Sequence, residues 1–138
     1  MPLTPYPSPP EYRGRGERCR SEWITYTIEM EPLEAFAVLD LRVGRIIRAE
    51  LNEAARKPAF KLWIDFGPLG EKTSSVQVTQ LYTPETLLNR LVIAAVNLGM
   101  RKIAGFPSEV LVLGLPDEQG RVVLLEPERE VPLGGRVY

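Results

Sequence analysis

Two segments near the middle of the chain alternate apolar and charged side chains with a period of two. They are residues 41–50 and residues 60–66. Because successive side chains of a β-strand point to opposite faces, this alternation predicts two half-buried strands. Glycine and proline over 67–70 turn the chain into a third, hydroxyl-rich strand at 72–78. Further apolar runs predict strands at 91–97, 110–113 and 122–125, the last two as a hairpin around a turn at 117–120.

One short helix is predicted between the third and fourth of these strands. Thr83 suits the N-cap position and Pro84 the first helical position. A single helical turn is also predicted over 32–36, where Pro32 fixes the first-turn dihedral. Five or more short strands with a helix after the third indicate an all-β fold, a five-stranded Greek-key barrel of the OB-fold type. Such a barrel offers one curved face to oligonucleotides.

Residues 1–29 differ in composition from the rest of the chain. Five of the thirteen prolines fall within the first ten positions, and an arginine–glycine run follows at 13–20. A segment of this composition cannot bury a core, so it is predicted to be disordered or loosely docked. The alternative is a translated leader upstream of a true start at Met30. Residues 30–138 are expected to be the folded domain.

The composition excludes several classes of enzyme. Histidine is absent and Cys19 is the only cysteine, which rules out His-based triads, most zinc sites and intramolecular disulfides. Asp40, Asp65 and Glu109 are separated acids without the paired carboxylates that hydrolysis needs. The sequence contains no glycine-rich phosphate-binding loop. We therefore predict a non-catalytic protein with no metal and no cofactor.

The chain has the composition of one globular domain, with 138 residues of which 44% are hydrophobic. No apolar run approaches the roughly 18 residues that span a bilayer, so membrane insertion is not expected. The first residues have neither the basic region nor the apolar core of a secretory signal. The cytoplasm is therefore the default compartment.

Charge is unevenly distributed along a chain whose formal net charge is only −1. Ten Lys or Arg residues accompany five acids between residues 42 and 102, whereas two arginines accompany six acids between residues 109 and 130. A segregated field can guide a polyanion to one face even when the total is near zero. The alternative is that these charges are scattered over solvated surfaces.

The segment over residues 97–109 combines cations with small polar groups and suits an anionic chain better than bond-breaking chemistry. Arg101 and Lys102 follow the fourth strand, where a barrel mouth would expose them. Arg56 and Lys57 lie in the loop between the first two strands, which OB-folds commonly use for binding. Cations so placed would contact phosphates. The alternative for each is a solvated surface charge.

Polar side chains that would contact sugars or base edges are predicted nearby. Lys72, Ser74 and Gln77 are expected to share one side of the third strand. Asn97 and Ser108 are expected to lie beside the cations and to contact RNA. The structural alternative is that the asparagine satisfies backbone groups in a bend and that the serine forms a turn. The nucleic-acid hypothesis requires these residues to meet at one rim of the barrel.

Few aromatic side chains are expected to be available for stacking bases. OB-folds that bind single strands usually present such side chains. Trp63 and Phe66 are predicted to lie in the core, which leaves Phe60, Tyr82 and Phe106 as candidates. Recognition of a folded RNA by its shape and backbone is therefore favoured over stacking along an extended strand.

Several motifs resemble the tRNA-binding domain that is also appended to methionyl- and phenylalanyl-tRNA synthetases. They occupy residues 40–46, 55–61, 72–77, 95–97 and 101–109. The ending Gly-Phe-Pro-Ser-Glu-Val-Leu-Val-Leu-Gly is closer to the free-standing CsaA type of this family. The resemblance covers residues 33–138. It implies a homodimer of OB-folds that binds tRNA and that, in the CsaA type, acts as a chaperone linked to protein export.

The resemblance also implies that the segments flanking the barrel are dimerisation extensions, here near residues 31–41 and 127–138. Left uncovered, their apolar side chains would form an exposed patch. These side chains are Leu33, Phe36, Val38, Val131, Leu133 and Val137. The expected partners are therefore tRNA, unfolded or pre-secretory polypeptides and a second copy of the chain. The alternative is a purely peptide-binding chaperone with an apolar groove and little RNA affinity.

Overall fold

The structure is a computed structural model that describes residues 30–138. Both predictions for residues 1–29, disorder and an upstream leader, lie outside the described residues. The chain divides into two units after Val38. The described part of the first unit contains helix α1 (Pro32–Val38), which begins with proline as predicted and runs two residues further. None of its side chains is buried, and Leu33 is 80% exposed.

The second unit, Leu39–Tyr138, is mostly β structure. Its elements are β1 (Leu41–Leu51), β2 (Phe60–Asp65), β3 (Glu71–Val76), helix α2 (Pro84–Leu87), β4 (Leu91–Ala95), β5 (Arg101–Ile103), β6 (Phe106–Ser108), β7 (Leu111–Val112), β8 (Gly114–Pro116) and β9 (Val122–Leu124). A 3-10 turn, Gly67–Leu69, joins β2 to β3. The first three strands were predicted to within two residues at each end.

Five strands form one antiparallel sheet in the order β3-β2-β1-β4-β7. Strand β1 is shared, because residues 41–45 pair with β4 and residues 45–51 pair with β2, with an irregularity after Ile46. A bulge of this kind bends a strand and lets the sheet curl. The barrel nearly closes where the N–H groups of residues 109 and 110 donate to the Thr73 carbonyl. The predicted OB-fold, with its helix after the third strand, is confirmed.

The barrel core consists of side chains that point inward from alternate strand positions. Leu62 and Ile64 of β2 are fully buried, whereas the residues between them are half-buried. Phe66 follows this strand and is 0% exposed, which confirms its predicted place in the core. Gly44 of β1 leaves space for it, since a Cβ there would lie 2.6 Å from Ile64 Cγ2 and 2.8 Å from the Phe66 ring.

Helix α2 packs against β1 and confirms the predicted helix. Thr83 and Thr86 form a reciprocal cap, in which each side-chain oxygen accepts a hydrogen bond from the backbone N–H of the other. Pro84 occupies the first turn. Leu87 is fully buried in the barrel core, so this one leucine anchors the helix.

The C-terminal hairpin begins later than predicted. Residues 111–112 pair with β4, and the hairpin is formed by β8 and β9 instead. The chain changes partner at Leu113, whose N–H donates to a carbonyl of β4 while its own carbonyl accepts from the N–H of Leu125. One apolar run therefore completes the barrel and then starts the hairpin, and the run itself shows no boundary between these two roles.

The turn of this hairpin is held by Asp117. Its Oδ1 accepts hydrogen bonds from the backbone N–H groups of Gln119 and Arg121, and its Oδ2 accepts from the Arg121 side chain. Partial desolvation raises the pKa of Asp117, but these hydrogen bonds outweigh it and hold the pKa below its ordinary value. The predicted turn at 117–120 is confirmed.

The C-terminal segment runs along the first half of β1. Backbone hydrogen bonds join residues 134, 135 and 137 to residues 41 and 43. The Asp40 carboxylate binds Arg42 at 2.7 Å and Arg136 at 3.5 Å, one arginine from each side of this pairing. The segment is therefore fixed to β1 by backbone hydrogen bonds and by the ion pairs of Asp40.

Candidate nucleic-acid interface

The outer face of strands β1, β2 and β3 carries two rows of polar and aromatic side chains. Because side chains alternate along a strand, residues between the buried positions of β2 point away from the core. The strand register places Arg48, Trp63 and Thr73 in one row and Glu50, Lys61 and Ser75 in the next.

Trp63 lies on this outer face and is half-buried, so its predicted place in the core is wrong. Leu62 and Ile64 point inward, and the parity of the strand turns Trp63 outward. Its cover comes from Phe106 of β6. The two ring centroids are 5.3 Å apart at an interplanar angle of 70°, which is the edge-to-face arrangement that aromatic pairs prefer.

A cation lies over each of these two rings. The guanidinium carbon of Arg48 is 4.4 Å from the centroid of Trp63, and Lys61 Nζ is 5.6 Å from the centroid of Phe106. Arg48 Nε donates to the Glu50 carboxylate at 2.8 Å, and a terminal nitrogen of Arg48 contacts the same oxygen. Sequence reasoning missed Arg48, Lys61 and Trp63 as candidate site residues, although strand parity alone would have placed all three on the outer face.

Strands β5 and β6 form a hairpin that was not predicted. Its two-residue turn consists of Ala104 and Gly105, with φ values of 51° and 83°, as a type I′ hairpin turn requires. Arg101 and Lys102 lie on β5 and are both exposed. The cationic pair is therefore presented by a defined β element.

Short hydrogen bonds attach this hairpin to β3. The Thr73 hydroxyl donates to the Pro107 carbonyl at 2.6 Å, and the Ser75 N–H donates to Ser108 Oγ at 3.0 Å. Glu109 Oε1 accepts from the Thr73 N–H at 2.9 Å. The hydroxyl oxygen of Ser108 is thus engaged within the protein, where it holds strand β6 to β3 rather than forming a turn.

The loop over residues 52–59 lies beside the tip of the hairpin, since Asn52 Nδ2 donates to the Ile103 carbonyl at 3.5 Å. Arg56 and Lys57 are exposed in this loop. Asn97 is also exposed, but its Oδ1 accepts from the Asp40 N–H at 2.9 Å, which supports its role in satisfying the backbone of a bend.

Lys72, Ser74 and Gln77 do not share an accessible face, and this expectation is wrong. Ser74 is 1% exposed and donates its hydroxyl to the Val110 carbonyl at 2.8 Å, where it helps to close the barrel. Gln77 follows the end of β3, and its separation of three residues from Ser74 breaks the period of two. Lys72 is half-buried near the opposite end of the strand.

The cations of residues 30–138 fall into two groups. Seven arginines each bind an acid, namely Arg42, Arg45, Arg48, Arg90, Arg121, Arg129 and Arg136. The remaining six have no ion pair within this range, namely Arg56, Lys57, Lys61, Lys72, Arg101 and Lys102. We call these six the unpaired cations. Their charge is not neutralised by a carboxylate of residues 30–138, and all six lie between residues 56 and 102.

Away from the unpaired cations, residues 30–138 also form a concave surface. An open concavity of about 480 Å³ lies between helix α2 and the acidic segment at 126–130, and none of the unpaired cations lines it. No group of three or more His, Cys, Asp or Glu in this part of the chain is arranged to hold a metal ion. No helix within the same residues is long and apolar enough to cross a membrane.

The protein has a five-stranded barrel with a helix after its third strand, and this barrel carries the unpaired cations. These features are typical of OB-fold proteins that bind nucleic acids. A family model described as "Putative tRNA binding domain" matches residues 41–136. The chain belongs to this family, and the resemblance predicted from its motifs is confirmed.

Methionine–tRNA ligases and CsaA chaperones are among the proteins to which this chain is similar. The methionine–tRNA ligase of Archaeoglobus fulgidus is 36% identical over 126 residues, which cover 91% of this chain but only 18% of the ligase. Two solved structures of CsaA chaperones are covered almost completely. That from Bacillus anthracis has 49% identity and a TM-score of 0.74, and that from Picrophilus torridus has 42% identity and a TM-score of 0.73. Each match covers 79% of this chain and 99% or 100% of the chaperone.

Proposed function

We propose that the protein is a non-catalytic tRNA-binding protein whose unpaired cations contact the phosphate backbone. The single observation that supports this is the concentration of those cations between residues 56 and 102 of a tRNA-binding-domain chain. Cations already neutralised by a carboxylate would have to break an ion pair to bind phosphate, whereas these would not. We further propose that residues 30–138 are the binding domain and that it acts in the cytoplasm.

Titration with unfractionated tRNA at several salt concentrations tests this proposal. Phosphate contacts release counterions, so the logarithm of the association constant should fall linearly with the logarithm of the salt concentration. The slope of this plot should correspond to several phosphate contacts. An association constant that does not change with salt, or no binding at low salt, would contradict the phosphate-contact proposal.

Replacing Arg101 and Lys102 together with alanine should weaken tRNA binding and reduce the salt slope by about two at most. Both side chains are exposed on β5, so the fold should be unaffected. The matched control removes Arg121 and Arg129, which also eliminates two charges but from residues that bind Asp117 and Glu128. Filter binding or anisotropy gives both slopes, and an equal reduction in the two variants would indicate net charge rather than a localised contact.

We propose that the protein is a homodimer with peptide-chaperone activity linked to protein export. Leu33, Phe36 and Val38 of α1 are all exposed. Exposed apolar side chains that form a contiguous patch mark surfaces that other chains cover, and we propose that these three do so. Val131 is exposed near the C-terminus, while Leu133 and Val137 are half-buried. The similarity to structures titled as CsaA chaperones supports the same proposal.

Substituting Leu33 and Phe36 with aspartate should convert the dimer to monomer in sedimentation velocity. Leu33 is 80% exposed and Phe36 is 44% exposed, so these changes should remove little packing within the chain. Leu115→Asp with Val123→Asp is the matched control, because these residues are an exposed apolar pair on the β8–β9 hairpin. A monomeric wild-type protein, or a dimer insensitive to the α1 changes, would refute this assignment.

A purely peptide-binding chaperone with little RNA affinity is the second candidate, favoured by the same exposed apolar side chains. It predicts that suppression of client aggregation survives the Arg101 and Lys102 replacements in full. The two candidates separate in one experiment, because only the first predicts measurable tRNA binding by the same preparation.

A further inference from the structure

Two aromatic rings and two cations contact one another on the outer face, namely Trp63, Phe106, Arg48 and Lys61. Phosphate binding would require only the cations. We propose that the Arg48 guanidinium, backed by Trp63, is a stacking surface for one unpaired nucleobase of the bound RNA. This inference rests on the proposed function and adds to it the feature of the RNA that is recognised. We call Arg48, Trp63 and Phe106 the stacking site.

The site is held rigidly by its neighbours. Phe106 meets the Trp63 ring at its edge, and Phe106 belongs to the hairpin that the Thr73 hydroxyl attaches to β3. Glu50 accepts hydrogen bonds from Arg48 and so keeps the guanidinium over the Trp63 ring, 4.4 Å from its centroid. A group fixed in this way loses little conformational entropy when a ligand binds.

The Arg48 side chain is 61% exposed although one side of it lies against the indole ring. The guanidinium is a planar, delocalised cation, and most of the side chain that carries it faces solvent. Arginine planes and aromatic rings are the groups on which proteins stack splayed-out RNA bases. A base inside a duplex has neighbours on both faces, so this site would accept only a base from a loop, a bulge or an end.

Cations for the adjoining phosphates are part of the same assembly. Lys61 lies opposite Glu50 in the register of β1 and β2, and its Nζ lies 5.6 Å from the Phe106 centroid. Arg101 is on the hairpin that carries Phe106, and strand parity puts both on the same face of that hairpin. Base stacking and phosphate contact are therefore coupled through one hairpin.

Arg48→Lys is the sharpest test, because it keeps the positive charge and removes the plane. Affinity for tRNA should fall about 5- to 10-fold while the slope against salt stays unchanged. Trp63→Leu should reduce affinity about 10- to 100-fold, again with an unchanged slope, and Trp63→Phe should restore most of the loss. Arg90→Lys serves as the matched control, since Arg90 also lies over an aromatic ring, 5.0 Å from the Tyr82 centroid, and also binds an acid, Glu126. It belongs neither to the stacking site nor to the unpaired cations.

Occupancy of the stacking site is tested by the fluorescence of Trp63, against which the Arg48 guanidinium lies. Trp23 and Trp63 are the only two tryptophans, so Trp23→Phe leaves the stacking site as the sole indole reporter. Single-stranded RNA and an abasic ribose-phosphate chain of the same length should both bind, but only the chain with bases should quench Trp63. Unchanged emission at saturation, or Arg48→Lys binding like wild type, would show that the stack only packs the surface and would overturn this inference while leaving the proposed function intact. No binding of tRNA at low salt would overturn both.

Discussion

Phe66→Ala should lower the free energy of unfolding by about 4 kcal/mol, the expected cost of deleting a phenyl ring from a sealed core. Phe66 is 0% exposed and contacts the inner face of β1 at Gly44. Deleting the ring leaves a cavity. The surrounding β-strands are held in place by their interstrand hydrogen bonds, so they cannot move inward to fill it. Urea unfolding followed by far-UV circular dichroism at 25 °C gives the value by linear extrapolation.

The control for this variant is Tyr138→Ala. It deletes an aromatic ring of similar size at the fully exposed end of the chain. Its effect should stay within about 0.5 kcal/mol. Equal effects of the two changes would mean that Phe66 is not part of the core. The tRNA affinity of a folded Phe66→Ala protein should be unchanged, since the ring lies on the opposite side of the sheet from the outer face.

Gly44→Ala should cost about 3 kcal/mol although it adds a single methyl group. The new Cβ would lie 2.6 Å from Ile64 Cγ2 and 2.8 Å from the Phe66 ring, distances that require the core to shift. Gly135→Ala is the matched control, because its Cβ would meet nothing closer than 3.4 Å and should change stability by less than about 0.5 kcal/mol. The same urea titration measures both variants.

The double variant Gly44→Ala with Phe66→Leu distinguishes steric conflict from loss of glycine flexibility. The smaller leucine leaves room for the new methyl group, so the double variant should be less destabilised than the sum of the two single variants. If the two losses of stability simply add, the new methyl group at residue 44 does not clash with the Phe66 ring.

Strand and helix positions were predictable because they depend on neighbours along the chain. The alternation at 41–50 and the Thr83–Pro84 start require only local periodicity and local capping, and both are confirmed. The hairpin over residues 101–108 escaped prediction because its strands have three residues each and Ala104 occupies a position where glycine or asparagine is usual.

The candidate site was predictable only in part. Arg101 and Lys102 were selected correctly as exposed cations, and Arg56 and Lys57 lie in a loop that hydrogen-bonds to their hairpin. Ser74 was misplaced because its partner, Val110, is 36 residues away. A hydroxyl in a strand has the same local pattern whether it faces water or closes a barrel.

The sequence by itself determined that this chain forms an all-β barrel with one helix after the third strand, that it has no histidine for catalysis and that its cations concentrate in one half. Only the tertiary structure decided which of those cations are available to a ligand and that Trp63 lies outside the core. The physical reason is that neutralisation and burial depend on partners distant in the chain. Arg45, for example, binds Glu130 across 85 residues.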